Sequence, residues 1–244
     1  MSSTTPHISP ALSIVVPMHN ESGNATTLIR EIAEACATIP HEILTVDDAS
    51  TDDTLVKLQA LKRELPQLRV LSHATNAGQS RAVRSGVLAA RAPVVATLDG
   101  DGQNPPHEIP KLYAHLQDTG VHLVGGERQQ RQDSAAKLLA SRVGNGVRKR
   151  LLHDTANDTG CGLKVFEREA FLRLPYFDHI HRYLPALMLR EGYQTAFLPV
   201  SHRAREHGSS KYTNLGRLRV SLADLRGVRW LQSRARLPGE VKEL

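Results

Sequence analysis

Two aspartates one residue apart, Asp99 and Asp101, follow a short apolar run in the stretch Pro93-Val-Val-Ala-Thr-Leu-Asp99-Gly-Asp101-Gly-Gln103-Asn-Pro-Pro106. Val94, Val95, Ala96 and Leu98 read as a strand covered on both faces, and Gly100, Gly102, Pro105 and Pro106 stop it. With glycines between them, the side chains of Asp99, Asp101 and Gln103 can converge on one point. Oxygen donors so placed suit a hard divalent cation, Mg²⁺ or Mn²⁺, which takes one or two carboxylates and completes its shell with water and phosphate oxygens. Taken alone, an Asp-Gly pair is equally an ordinary turn former. A calcium loop of EF-hand type is excluded, because the twelfth position from Asp99 is Pro110 where a bidentate Glu is required.

Other strand ends carry polar groups as well. Leu12-Ser-Ile-Val-Val-Pro17 reads as a first strand opening into Met18-His-Asn20-Glu21-Ser-Gly23. Ile43-Leu-Thr-Val-Asp47-Asp48 reads as a second, again ending in acid, and Leu68-Arg-Val-Leu-Ser-His73 as a third, followed by Asn76-Ala-Gly78. Helical stretches lie between them. Leu28, Ile29, Ile32, Ala33 and Cys36 share one face, Thr51-Asp52 opens the next helix in the manner of an N-cap, and a third helix leads from Gly78 to Ala90. Alternating strands and helices build βαβ units and a parallel sheet. Ligands of such sheets gather outside the carboxyl ends of the strands, where Glu21, Asp47, Asp48, Asn76, Asp99 and Asp101 all fall. Loops are polar in any case, yet two of these ends carry doubled acids. Neither Gly-x-x-x-x-Gly-Lys nor Gly-x-Gly-x-x-Gly occurs, so binding of phosphate through a metal fits best.

The composition, 40% hydrophobic and 23% charged over 244 residues, is that of an ordinary soluble globular protein with room for a full α/β core. One domain with an extension is expected: residues 1–10 a disordered lead-in, 11–213 the α/β domain, and 214–244 a helix and tail. Cys36 and Cys161 are far apart and in no Cys-x-x-Cys pattern, which argues against a disulfide framework or a zinc site and for a cytosolic setting. The lead-in lacks the apolar segment of a signal peptide, and no stretch approaches the ~20 apolar residues of a membrane span. A formal net charge of +6 implies an anionic partner: nucleotide phosphate, phospholipid or nucleic acid.

Taken together, Val16-Pro17-Met-His-Asn20-Glu21, Val46-Asp47-Asp48-Ala-Ser50-Thr-Asp52-Asp53-Thr54, Asn76-Ala-Gly78 with Ala82 and Gly86, and Leu98-Asp99-Gly-Asp101-Gly-Gln103-Asn-Pro-Pro106 resemble the motif series of family-2 glycosyltransferases. The resemblance implies the GT-A fold, a Rossmann-like, mostly parallel sheet flanked by helices, here with a C-terminal helical extension. The second half is similar to the polyprenyl-phosphate branch of that family, which acts on dolichyl or undecaprenyl phosphate. The matching stretches are Gly126-Glu-Arg128-Gln-Gln-Arg131-Gln-Asp133, Asp158-Thr-Gly-Cys161-Gly162-Leu-Lys164, His181-Arg182-Tyr-Leu-Pro185 and Arg205-Glu-His-Gly208-Ser-Ser-Lys211-Tyr212.

By this resemblance Pro17, Glu21, Asp47 and Asp48 hold the nucleotide, Gly78 gives its backbone room, and Asp99, Asp101 and Gln103 hold the metal and diphosphate. Asp101 and Asp158 are the implied catalytic positions. A lipid phosphate carries about −1.5 to −2 charge near neutral pH and needs no general base. It needs cations that seat it in line, and Arg128, Arg131, Arg142, Arg205 and Lys211 are the candidates; Asp158 then orients arginines rather than abstracting a proton. Leu163-Lys164 departs from the usual Phe-Arg, and Gln79 stands where several members carry Lys.

The implied reaction is an inverting transfer from GDP-mannose or a UDP-sugar to polyprenyl phosphate at the cytoplasmic face of the membrane. A saccharide or protein acceptor is the close alternative. A non-enzymatic nucleic-acid-binding module is the alternative of another class, but aromatic residues are only 4% and are not interleaved with the basic runs, so no nucleic-acid partner is expected. Many family members continue into transmembrane helices, whereas here Leu215, Leu218, Leu222 and Leu225 form one helical stripe with Arg217, Arg219, Arg226 and Arg229 off it and Trp230 beyond. Such a helix can lie in a membrane interface, pack on the domain, or meet a membrane-embedded partner subunit.

Overall fold

The computed structural model describes residues 9–129, 135–204, 214–239 and 242–243, with residues 135–143 and 214–219 described as backbone only. Strand β1 (Leu12–Met18) is buried along its whole length, as a near-continuous apolar run dictates when both faces of a sheet are covered. It pairs in parallel with β2 (His41–Asp47), which pairs in parallel with β3 (Leu68–Ser72), and on its other side with β4 (Val94–Thr97). Helices α1 (Ala25–Ala35), α2 (Thr54–Leu61) and α3 (Gln79–Ala89) are the crossovers. The expected N-cap of α2 shifts: Asp53 holds the cap position, while the Asp52 carboxylate accepts from Thr54 N at 3.0 Å.

After α4 (Ile109–Thr119) come β5 (Leu123–Arg128), α5 (Ala135–Leu152), β6 (Lys164–Glu167), α6 (Arg168–Arg173), α7 (Leu184–Arg190), β7 (Thr195–Val200) and α8 (Asn214–Ser233). Among the described residues one seven-stranded sheet forms, ordered β3-β2-β1-β4-β6-β5-β7. The sheet is mostly parallel, as expected, and the exception is β6, which runs antiparallel to both β4 and β5. Reversal puts the amino end of β6, and the loop before it, beside the carboxyl ends of its neighbours. Thr97 pairs with Lys164, which also pairs with Gly125.

Each face of the sheet has its own core. Leu12, Ile14, Val16 and Met18 of β1 join α1 and α4, while Val15 turns to Val83 and Val87 of α3 and to Phe166, Phe171 and Leu187. This follows from the two-residue side-chain period of a strand. Gly86 lets α3 lie close, because a β-carbon there would strike the Val15 side chain. The leucine stripe of α8 divides on docking. Leu225, Val228 and Leu231 face the second core, with Val228 1% exposed, whereas Leu222 and Trp230 are 45% and 59% exposed. Gln232 fixes the helix by donating to Leu152 O at 2.8 Å.

Candidate active site

The acids predicted from the strand ends meet at one edge of the sheet. Asp99 leaves β4 half-buried, and its Oδ1 accepts from Gln79 Nε2 at 2.7 Å, at the first residue of α3. Gly162, in the loop before β6, lies against the same carboxylate, and a β-carbon there would collide with it. Burial, reinforced by the charge of Asp101, pushes the Asp99 carboxyl up to about 6, against the pull of Lys164, Arg128 and Gln79. Gly100 packs on the end of β1, where a β-carbon would stand 2.8 Å from Pro17 O. Asp99 lines a small, partly open cavity with Pro17, Gln79, Thr97, Lys164 and His181, with about 20 Å³ available, room for one water.

The two acids at the carboxyl end of β2, Asp47 and Asp48, differ in their surroundings. Both oxygens of Asp48 are engaged by the protein: Oδ1 accepts from Ala77 N at 2.9 Å and from His73 Nδ1 at 2.7 Å, and Oδ2 from Gly78 N at 2.8 Å. Burial alone would raise its pKa, but these donors hold the carboxyl below its usual range. Asp48 thus shapes the 76–78 loop, in which Gly78 has φ +85° as only glycine adopts readily. Asp47 is 1% exposed; its Oδ2 accepts from Ser50 N at 3.3 Å and Ser72 Oγ at 3.4 Å, and its Oδ1 has no partner. Glu21 accepts from Asn24 Nδ2 at 2.9 Å, and its own N–H donates to Thr54 Oγ1 at 2.9 Å.

On the far side of Asp99, cations are held by acids. Arg128, at the end of β5, grips Asp158 through Nε at 2.6 Å and Nη2 at 2.8 Å. Burial works against the guanidinium charge, but the Asp158 carboxylate more than offsets it. The ammonium of Lys164, 4% exposed, donates to Cys161 O. Burial lowers its pKa, opposed by the charges of Asp99 and Asp158. Arg148, 6% exposed, binds Asp154 through Nε at 3.1 Å and Nη2 at 3.0 Å and ties down the loop that delivers Asp158.

Gln103 meets the segment after β7: its backbone O accepts from Arg203 N at 2.9 Å, and its amide nitrogen lies 3.5 Å from Arg203 O and 3.5 Å from His202 Nε2. This joins the aspartate loop to the segment leading toward Arg205 and Lys211. Arg131, Arg205 and Lys211 lie outside the described residues, and Arg142 lies on α5 in the part described as backbone only. Sequence reasoning did not single out Arg148, His73 or Ser80, whose hydroxyl lies 2.7 Å from His181 Nδ1. None sits in a periodic or motif context that marks it. Burial, with the nearby charges of Arg182 and Lys164, keeps His181 well below its usual pKa and therefore neutral.

Among the described residues no group of three or more His, Cys, Asp or Glu converges. A cation here would rest on Asp99 and Asp101 and take its remaining ligands from water and a diphosphate. Burial and the charge of Asp101 both raise the Asp99 pKa, and a cation would compensate both, so the donor set fits a hard divalent ion.

A mostly parallel α/β sheet with an Asp-x-Asp at the carboxyl end of a central strand defines the GT-A class of sugar-transferring folds. Residues 13–174 match the model of Glycosyl transferase family 2, and the chain belongs to that family. It is 34% identical over 234 residues to dodecaprenyl-phosphate galacturonate synthase of Rhizobium johnstonii, covering 93% of this chain and 69% of that one. It is also 34% identical over 204 residues to undecaprenyl-phosphate 4-deoxy-4-formamido-L-arabinose transferase of Edwardsiella ictaluri, covering 82% of this chain and 62% of that one.

Among solved structures, mannosyl-3-phosphoglycerate synthase from Rubrobacter xylanophilus superposes with a TM-score of 0.70 at 21% identity, over 95% of this chain and 77% of that one. The mannosyltransferase of Pyrobaculum calidifontis, in complex with GDP-Man and Mn²⁺, gives 0.62 at 19% identity, over 97% and 67%. Among the described residues no helix is long and apolar enough to cross a membrane.

Proposed function

We propose that this chain transfers a sugar from a nucleotide diphosphate donor to polyprenyl phosphate, with inversion, using Mg²⁺ or Mn²⁺ held by Asp99 and Asp101. The observation that carries the reading is the placement of Arg128, oriented by Asp158, close enough to Asp99 for each to feel the other's charge. One edge of the sheet therefore presents an acidic pair for a metal–diphosphate and a fixed guanidinium for a second phosphate. Relatives named for transfer to dodecaprenyl and undecaprenyl phosphate support the lipid acceptor.

Asp47, with a buried acceptor atom in need of a donor, suits an N–H of the nucleotide, and Glu21 and the backbone of Gly78 are assigned to the same ligand. The bound cation would stabilise charge on the departing diphosphate. Arg128 orients the lipid phosphate so that one of its oxygens attacks the anomeric carbon as the bond to the diphosphate oxygen breaks. The bonding pair leaves with the nucleoside diphosphate. No proton moves, which is why Asp158 is needed as the clamp on Arg128 and not as a base. The exposed Leu222 and Trp230, flanked by Arg226 and Arg229, suit the cytoplasmic headgroup plane where such an acceptor resides.

A thermal-shift screen with nucleotide sugars and Mn²⁺, followed by transfer to undecaprenyl phosphate in detergent, tests the reading. The expected result is metal-dependent stabilisation by one donor and formation of a lipid-linked sugar. Stabilisation without any transfer to lipid phosphate would move the acceptor to another class.

A further inference from the structure

We propose that His73, oriented by Ser85, is a positioning residue for the nucleotide-sugar donor, acting through Asp48 on the loop that carries Gln79 to the aspartate pair. The inference rests on the donor reading above but assigns residues that reading does not use. His73 follows β3 and Ser85 lies midway along α3, so neither belongs to an acid-bearing strand end. Their side chains nevertheless connect in series. The His73 ring places Nδ1 2.7 Å from Asp48 Oδ1 and Nε2 2.9 Å from Ser85 Oγ.

With Nδ1 protonated toward the carboxylate, a neutral ring accepts the Ser85 hydroxyl proton at Nε2; a charged ring donates there instead, since a hydroxyl serves either role. The bond to Asp48 exists in both cases, so the arrangement is a strap and not a pH switch. The His73 backbone N–H also donates to Asp47 O at 2.9 Å, so His73 is anchored to both Asp47 and Asp48.

What the strap holds lies at the site. Asp48 accepts from Ala77 N and Gly78 N, and Asn76 Nδ2 reaches Asp48 O at 3.1 Å, so all three loop residues hang on one aspartate. The next residue, Gln79, donates to Asp99 Oδ1 at 2.7 Å. The sequence of contacts Ser85–His73–Asp48–Gly78–Gln79–Asp99 runs from the middle of α3 to the carboxylate proposed to hold the metal. Ser85 is six positions beyond Gln79 on the same helix, so the strap ties the body of α3 to the end of β2 and limits how far the helix start can withdraw from Asp99.

The test is steady-state kinetics with both substrates varied. His73→Ala should raise the donor KM by about tenfold or more, the loss expected for one hydrogen bond to a charged group. Saturating kcat and the KM for polyprenyl phosphate should stay within about threefold of wild type. His73→Asn, whose amide N–H replaces Nδ1–H, should recover most of the donor KM, and Ser85→Ala should raise it by about threefold. If His73→Ala does not fold, the Asn and Ser85→Ala variants decide on the same readout. A donor KM unchanged in all three, an Asn variant no better than Ala, or a fall in kcat at constant donor KM would overturn the inference. Those outcomes leave the wild-type reaction standing, whereas failure of the wild type to bind any nucleotide sugar would remove the functional reading itself.

Discussion

The loops after β1 to β4 and the loops around β5 and β6 solve opposite electrostatic problems. On the first side acids are set by neutral donors: Asp48 by two backbone N–H groups and a ring N–H, Asp47 by Ser50 and Ser72, Asp99 by Gln79. On the second side cations are set by acids: Arg128 by Asp158 and Arg148 by Asp154. In the proposed reaction the first side supplies the Asp99 and Asp101 carboxylates for a metal to neutralise, and the second presents the Arg128 guanidinium, held in place by Asp158, to a phosphate. The proposed reaction needs both signs within one cleft. Neutral backbone and side-chain donors hold one set, and ion pairs hold the other.

The largest effect should come from breaking the donor side. Asp99→Ala and Asp101→Ala should each lower turnover by about a thousandfold or more, the scale of a lost metal contribution of several kcal/mol. Circular dichroism should be unchanged, and EDTA should reproduce the loss in the wild type. Full activity after exhaustive metal removal would dismiss the metal.

The matching break on the acceptor side is Arg128→Ala. It should reduce kcat/KM for lipid phosphate by about 10- to 150-fold, the range for a hydrogen bond to a charged group. Donor affinity by calorimetry should stay within about threefold. Equal loss of donor affinity would erase the distinction between the two sides.

Proton competition gives a smaller and graded effect. With the Asp99 carboxyl raised to about 6 by burial and by Asp101, a proton occupies the metal position below that pH and leaves it above. Apparent Mn²⁺ affinity should therefore be flat near neutrality and weaken by about tenfold per unit as pH falls below about 6. A Mn²⁺ titration followed by electron paramagnetic resonance checks this, and an affinity independent of pH across that window would contradict the coupling of the two acids.

The smallest effect concerns α8. Arginines near an anionic leaflet contribute about 1 kcal/mol each and are screened by salt. Co-sedimentation with anionic liposomes should therefore be strong at low salt and weak at high salt. Leu222→Ser should come off more completely than wild type, because Leu222 is exposed. Leu225→Ser should cost stability more than binding, because Leu225 packs on the second core. Indifference of the wild type to liposomes at low salt would assign the face to a partner subunit.

Strand periodicity and the acids at or just after the ends of β1, β2 and β4 were readable from the chain because both are local: an apolar run, a stop, a carboxylate. The family's motif order supplied Arg128 and Asp158 as positions, but not that they clasp each other. The direction of β6 was not readable, because four residues, Lys164-Val-Phe-Glu167, carry no signal of which way they pair. That direction brings Lys164 and Gly162 against Asp99.

The leucine repeat of α8 marked a helix, yet Leu222 and Leu225, placed together by the repeat, part company once α8 packs across α5 and α7. The sequence by itself determined the α/β class, the buried strands and which residues could do chemistry, since those depend on neighbours in the chain. Tertiary structure decided which oxygens are free and which are spent. Asp47 and Asp48 are adjacent in the chain, but one keeps an unpartnered oxygen and the other has none, because β-strand side chains alternate in direction only up to the strand's end and the loops beyond decide the rest.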